Sequence, residues 1–264
     1  MKKGLPSIIK CLIIIVIQII NLNTIRAEEA KGKAFNKKIK ESYKSLYNFH
    51  FNTSKKILDS LQANMEENVD LIVLNINYKW WKIISNDTQN NREKFLTSLD
   101  SLKEKKGQFT KEKRKILSIY YYIFYCRYHL MNKNYLKVLF HYGKFDRLIK
   151  NFKCKNTNYQ QKINLIRNFY LYLKHKYMSF NASKKEFYLK EMKKLADSEN
   201  IIVKTETNYF LMKIYSEIER LPDKANTYKK FLNKKYPNNP FFELTVKPKK
   251  HFRKNEQGYI LPGR

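Results

Sequence analysis

Read for polarity alone, the chain beyond residue 34 falls into about ten stretches in which apolar residues return every three or four positions. That spacing follows the turn of an α-helix and predicts helices buried along one face. The predicted helices cover residues 35–49, 53–65, 69–85, 91–105, 111–131, 134–151, 159–177, 182–196, 201–219 and 223–235. Their stripes are readable directly. Ile57, Leu58 and Leu61 mark the second helix. Leu71, Leu74, Tyr78 and Trp81 mark the third, and Ile163, Ile166, Tyr170 and Leu173 the seventh. The fifth differs, because residues 116–126 are almost continuously apolar and aromatic. The run is too long for an ordinary strand, so it predicts a helix covered on all sides.

Short Asn-, Asp- and Lys-rich breaks at 86–91, 132–134 and 155–158, and Pro222-Asp223, separate the helices as turns. The cluster Pro237, Asn238, Asn239, Pro240 stops helix formation. Residues 241–264 hold Pro248, Pro262 and several cations, which predicts an extended basic C-terminal tail.

The N-terminus has a different pattern. Lys2, Lys3 and Lys10 precede an apolar run from Cys11 to Ile20, and Ala27 precedes Glu28 and Glu29. Charge, short apolar stretch and small residue in that order predict a signal peptide over 1–27, cut after Ala27, then a short linker over 28–34. The run is interrupted by Gln18 and is shorter than the roughly 20 residues a membrane-spanning helix needs. Cys11 stands at its start and not its end, which argues against a lipid anchor. The chain is therefore expected to be exported, to the periplasm, the outer membrane or beyond. That destination sets nucleic acid aside as a partner.

Composition narrows the picture further. Gly and Pro number only 6 each in 264 residues, too few for the turns of an all-β fold. The net charge is +31, from 54 Lys and Arg against 23 Asp and Glu. Two readings stay open: a solvated surface in a chain rich in Lys, Asn, Ile, Tyr and Phe, or a basic face for an acidic partner. Lys outnumbers Arg, and Lys recognises phosphate less specifically.

Little catalytic chemistry is legible. With so few glycines there is no phosphate-cradling loop, and the five histidines form no metal-ligand spacing with Cys. His129 follows Cys126 by three residues on one helical face, an arrangement that core packing explains better than nucleophilic catalysis. Cys126 and Cys154 fall near opposite ends of consecutive helices, too far apart for a disulfide. Cys126 is expected as a small core residue. No catalytic residue, metal ligand or cofactor is predicted. Trp80 and Trp81 are adjacent, so their side chains diverge by about 100° on a helix. Both pack between hairpins, or the outer one anchors a partner.

The last hairpin resembles a tetratricopeptide repeat. Ala225 holds the place of the small residue at the helix crossing, and Pro237 follows at the spacing of the terminal Pro. Tyr209 and Met212 stand for the large residue and the Leu of the first helix, with Tyr228, Phe231 and Leu232 as the stripe. Asn134, Tyr135 and Val138, preceded by Tyr122, Tyr125 and Cys126, resemble the same unit, as does 47–52 leading to Ser54. The Gly usual in the first helix is absent throughout. Tyr47-Asn48-Phe49 with Trp80-Trp81 also resembles repeat proteins exported by Bacteroidetes-type bacteria. The resemblance implies an all-α superhelix of helical hairpins over 35–240 that binds a protein or peptide, an acidic one where a Lys-rich face takes part, on a concave face without catalysis. The alternative is a binder of anionic lipid headgroups or acidic polysaccharide through a Lys-rich face.

Overall fold

A computed structural model describes residues 31–64, 68–243, 253–254 and 260–261. The fold is all-α, built of helical hairpins. The first helix, α1, covers 31–47. It is followed by α2 (Phe51–Asn64), α3 (Val69–Ser85), α4 (Gln89–Lys105), α5 (Lys111–Met131) and α6 (Tyr135–Lys150). Then come α7 (Thr157–Tyr177), α8 (Ala182–Leu195), α9 (Ile201–Lys213), α10 (Pro222–Lys235) and the short α11 (Pro240–Glu243). Arg253–Lys254 pairs antiparallel with Ile260–Leu261. The remainder of the expected tail, and the expected signal peptide, lie outside the described residues.

The packing divides the chain into two compact units, one ending at Leu148 and one beginning at Ile149. In the first unit Leu46, Leu58, Leu74, Ile83, Phe95 and Leu102 are essentially inaccessible. At the α1–α2 crossing the residues are small: Ser42 and Ser54 are buried with their hydroxyls 3.0 Å apart. Asn77 donates to the Tyr43 hydroxyl at 3.1 Å and ties α3 to α1. Along α5 Ile116, Leu117, Ile119, Tyr120, Phe124 and His129 are buried, whereas residues 118, 121–123 and 125–128 are only half-buried, so the unbroken apolar run is enclosed on one side and partly covered on the other.

The second unit packs Leu165, Tyr172, Met192, Leu211, Ile214 and Tyr215 into one core, with Ala225 buried among them. Tyr215 and Tyr228 stack at 5.7 Å. The Thr205 and Tyr236 hydroxyls meet at 2.7 Å. Arg167 reaches back from α7 to the carbonyls of Ile149 and Phe152 and fastens the segment that precedes the helix.

Asparagine does much of the capping. The side chains of Asn68, Asn156, Asn181 and Asn200 accept hydrogen bonds from the first free amides of α3, α7, α8 and α9. Each satisfies donors that the helix itself leaves open. The Asn-rich breaks in the sequence are therefore helix starts as well as turns.

Four hairpins share one turn device. Phe49, Lys133, Phe180 and Arg220 have positive φ, and in each case the next helix begins two residues later. In the first unit the closure is a Schellman turn: His50 N donates to Ser45 O at 2.9 Å and Asn134 N to His129 O at 2.8 Å. In the second unit the turn is one residue wider, with Asn181 N bonded to His175 O and Leu221 N to Tyr215 O. The predicted helix over 201–219 accordingly changes character near its end. It is α-helical to Lys213 and a π-turn over Ile214–Ile218, where Glu219 N donates to Ile214 O at 2.8 Å.

Candidate binding faces

The two tryptophans splay as adjacent helical residues must. Trp81 is buried, edge-on to Tyr47 at 6.1 Å and Phe49 at 5.9 Å. Trp80 is half-buried and lies 5.6 Å from Phe95 and 6.4 Å from Phe124. One ring joins α3 to the first hairpin and the other joins it to α4 and α5. Of the two, only Trp80 keeps appreciable exposure.

The Cys126 and His129 pair is not poised for nucleophilic attack. Both Cys126 and Cys154 are thiols, not a disulfide. Cys126 is half-buried, less enclosed than a core residue, and its burial pushes the thiol up to about 11. His129 is buried, its ring 4.3 Å from that of Tyr125. The ring of His141, from α6, lies 4.6 Å from that of Tyr125 as well. Burial, reinforced by nearby cations, holds both imidazoles below their ordinary value. They are neutral at pH 7, and His141 Nδ1 is buried without a hydrogen-bond partner. This Tyr–His layer between α5 and α6 is a feature that spacing did not reveal, because its members come from two helices. Among the described residues, no cluster of three or more His, Cys, Asp or Glu is placed to hold a metal ion. A depression along α10 is lined by Asp223, Asn226, Lys229, Lys230 and Asn233, all from that one helix.

What the surface does offer is two clusters of large apolar side chains, apart from the singly exposed Leu130 and Leu221. In the second unit they gather at and beside the α7–α8 turn. Tyr177, Met178, Phe180 and Phe187 are all exposed, Phe180 by 79%. Phe180 also occupies the left-handed turn position, with φ 46°. Gly or Asn is the usual occupant there, since a β-carbon makes the conformation costly. Neither backbone preference nor burial accounts for a Phe at that point. Behind the turn, Tyr188 stacks on His175 at 5.7 Å and Phe187 lies edge-on to Tyr188 at 5.2 Å. His175 Nδ1 is 2.5 Å from the Ser179 hydroxyl. The exposed side chains thus stand on a braced turn. Lys184 and Lys190 flank them in solvent, and the nearby carboxylate of Glu186 is 3.3 Å from Lys185.

In the first unit four exposed apolar residues gather on α6, Tyr135, Leu136, Leu139 and Phe140, and Leu130 is exposed near the end of α5. A sequence reading could see that α6 is apolar on two sides, but not that one side stays uncovered. Among the described residues, no helix is long and apolar enough to cross a membrane. No protein-family model, curated protein or solved structure matches this chain.

Proposed function

We propose that this chain is an exported, non-catalytic binding protein of the cell envelope. Its hairpins, tetratricopeptide-like in their small crossing residues, display side chains to an acidic protein or peptide. The observation that carries this reading is Phe180, exposed at a left-handed turn position where it costs conformational energy and gains no burial. Phe49 holds the same left-handed turn position in the first hairpin but is half-buried against Trp81, so what sets Phe180 apart is its exposure. Tyr177, Met178 and Phe187 beside it belong to the residue types enriched at interface centres. Lys184 and Lys190 supply a cationic rim.

The test is a comparison of the protein with its Phe180→Gly variant in capture from an envelope fraction. Glycine relieves the turn while deleting the anchor, so the variant should unfold at the same or higher temperature yet retain the partner poorly. The captured protein should be acidic and should be released by salt. Undiminished capture by the variant would overturn the reading. A partner held equally at low and high salt would overturn its electrostatic half.

A further inference from the structure

We infer that α6 is an interfacial helix that seats the first unit on an anionic lipid surface, with Leu136, Leu139 and Phe140 entering the headgroup boundary. The inference goes beyond the protein-binding turn and rests on a different face.

The helix has two apolar sides. Phe145 is buried, and Val138, His141 and Tyr142 are half-buried beside it. This side meets α5, where Phe145 lies 6.3 Å from the Tyr122 ring and His141 lies 4.6 Å from Tyr125. On the opposite side Leu136 is 80% exposed, Phe140 75% and Leu139 62%. These three have the i, i+3, i+4 spacing that places side chains together on one helix face. Gly143 continues that face one turn on, with open space around its Cα. Single exposed leucines are common, but a cluster of this kind on one face marks a contact surface.

The rim identifies the occupant. Lys133, Lys137, Lys144 and Arg147 are all exposed around the apolar face, and Asp146 is the one acid of the helix. Lys144 Nζ stands 5.9 Å from the centre of the Phe140 ring, stem along the apolar surface and charge at its edge. A second copy of the same face would bring two cationic rims together. An acidic peptide would be held only at the cationic rim, since Leu136, Leu139 and Phe140 at the centre offer it no hydrogen bond. A centre of Leu and Phe within a ring of cations matches a hydrocarbon boundary under negative headgroups. With 16 residues, α6 is too short to span a bilayer and would lie in the interfacial plane.

The test uses the full chain with vesicles of phosphatidylcholine alone and of phosphatidylcholine mixed with phosphatidylglycerol. Two readouts are taken: binding by co-sedimentation, and amide hydrogen exchange across 135–150. Exchange in α6 should slow on the mixed vesicles and not on phosphatidylcholine alone. The pair Leu136→Gln with Phe140→Gln removes apolar contact and keeps the charge. The pair Lys137→Gln with Lys144→Gln does the reverse. Each should weaken binding to mixed vesicles by about tenfold or more. All four side chains are exposed, so thermal unfolding should be unchanged in both variants. Phe180→Gly should bind vesicles as the parent does. The inference is overturned if α6 exchanges equally with and without mixed vesicles, or if both variants bind like the parent. It is also overturned if α6 becomes protected with rising protein concentration in the absence of lipid.

Discussion

The Tyr172 hydroxyl donates to the Glu219 carboxylate at 2.5 Å, joining α7 to the end of the π-turn across 47 residues of chain. Lys176 and Lys185 stand 3.3 and 3.4 Å from the same carboxylate oxygen. Burial alone would raise the Glu219 carboxyl. The Tyr172 hydrogen bond and the two ammonium groups outweigh it and hold the carboxyl below its usual range. Tyr172 is correspondingly held protonated far into alkali, by burial first and by Glu219 second. The π-turn is what delivers Glu219 here, since its extra residue per turn closes on Ile214.

Replacing Tyr172 by Phe keeps the buried ring and deletes the hydroxyl. A hydrogen bond to a charged group contributes about 1.5–3 kcal/mol, and the second unit should lose about that much at pH 7. Because the folded carboxyl is depressed, its contribution is present above the ordinary carboxylate range and is lost as pH falls through the folded value. Urea unfolding at pH 7 and pH 3 should therefore show the gap between parent and variant narrowing in acid. An equal gap at both would mean the ionised carboxylate is not the acceptor that matters.

The first unit should respond to milder acid. His129 and His141 are held below 6.5, by burial first and then by nearby cations: Lys137 for His129, Lys144 and Lys103 for His141. Folding therefore binds fewer protons than the unfolded chain. The resulting stabilisation is full above 6.5 and drains away as pH falls through the folded values. Thermal unfolding between pH 7.5 and pH 5 should show this slope, and His129→Phe should make it shallower. A variant with the parent's slope would contradict the account.

Lys133 sits at φ 56° in the α5–α6 turn. Lys133→Gly removes the β-carbon cost but loosens the unfolded chain, leaving a net gain of about 0.5–1 kcal/mol. Unfolding of the variant by urea would show it as a higher midpoint at unchanged slope. A lower midpoint would show that the Lys side chain contributes more than its backbone costs.

The tryptophans should separate by stability. Trp81→Ala empties a buried site between α3 and the first hairpin and should cost about 3–5 kcal/mol. Trp80→Ala, at a half-buried position, should cost clearly less. Equal losses would mean that the two rings share one environment.

Helix positions were readable because each helix repeats its apolar stripe locally. The bounds expected for α3 and α5 are those observed, and most others fall within about two residues, as helix ends usually do. The breaks were readable because Asn and Pro act on their own neighbours, as caps and as stops. The π-turn was not readable. Residues 201–219 carry no Gly or Pro, and the widening depends on what Tyr215 and Glu219 meet in other helices. The α7–α8 turn face was missed for a related reason: Phe180 reads as one more apolar residue until its φ and exposure are known.

By itself, then, the amino-acid order determined that this chain is helical, where its helices start and stop, and which face of each is apolar, since all three follow from interactions within a few residues. Only the tertiary structure decided which apolar faces find partners. It buried one side of α5 and left the other half-covered, split Trp80 from Trp81, brought two histidines against Tyr125, and left one side of α6 and the Phe180 turn in solvent. The physical reason is that hydrophobic periodicity specifies a demand for burial, while its satisfaction depends on residues distant in sequence.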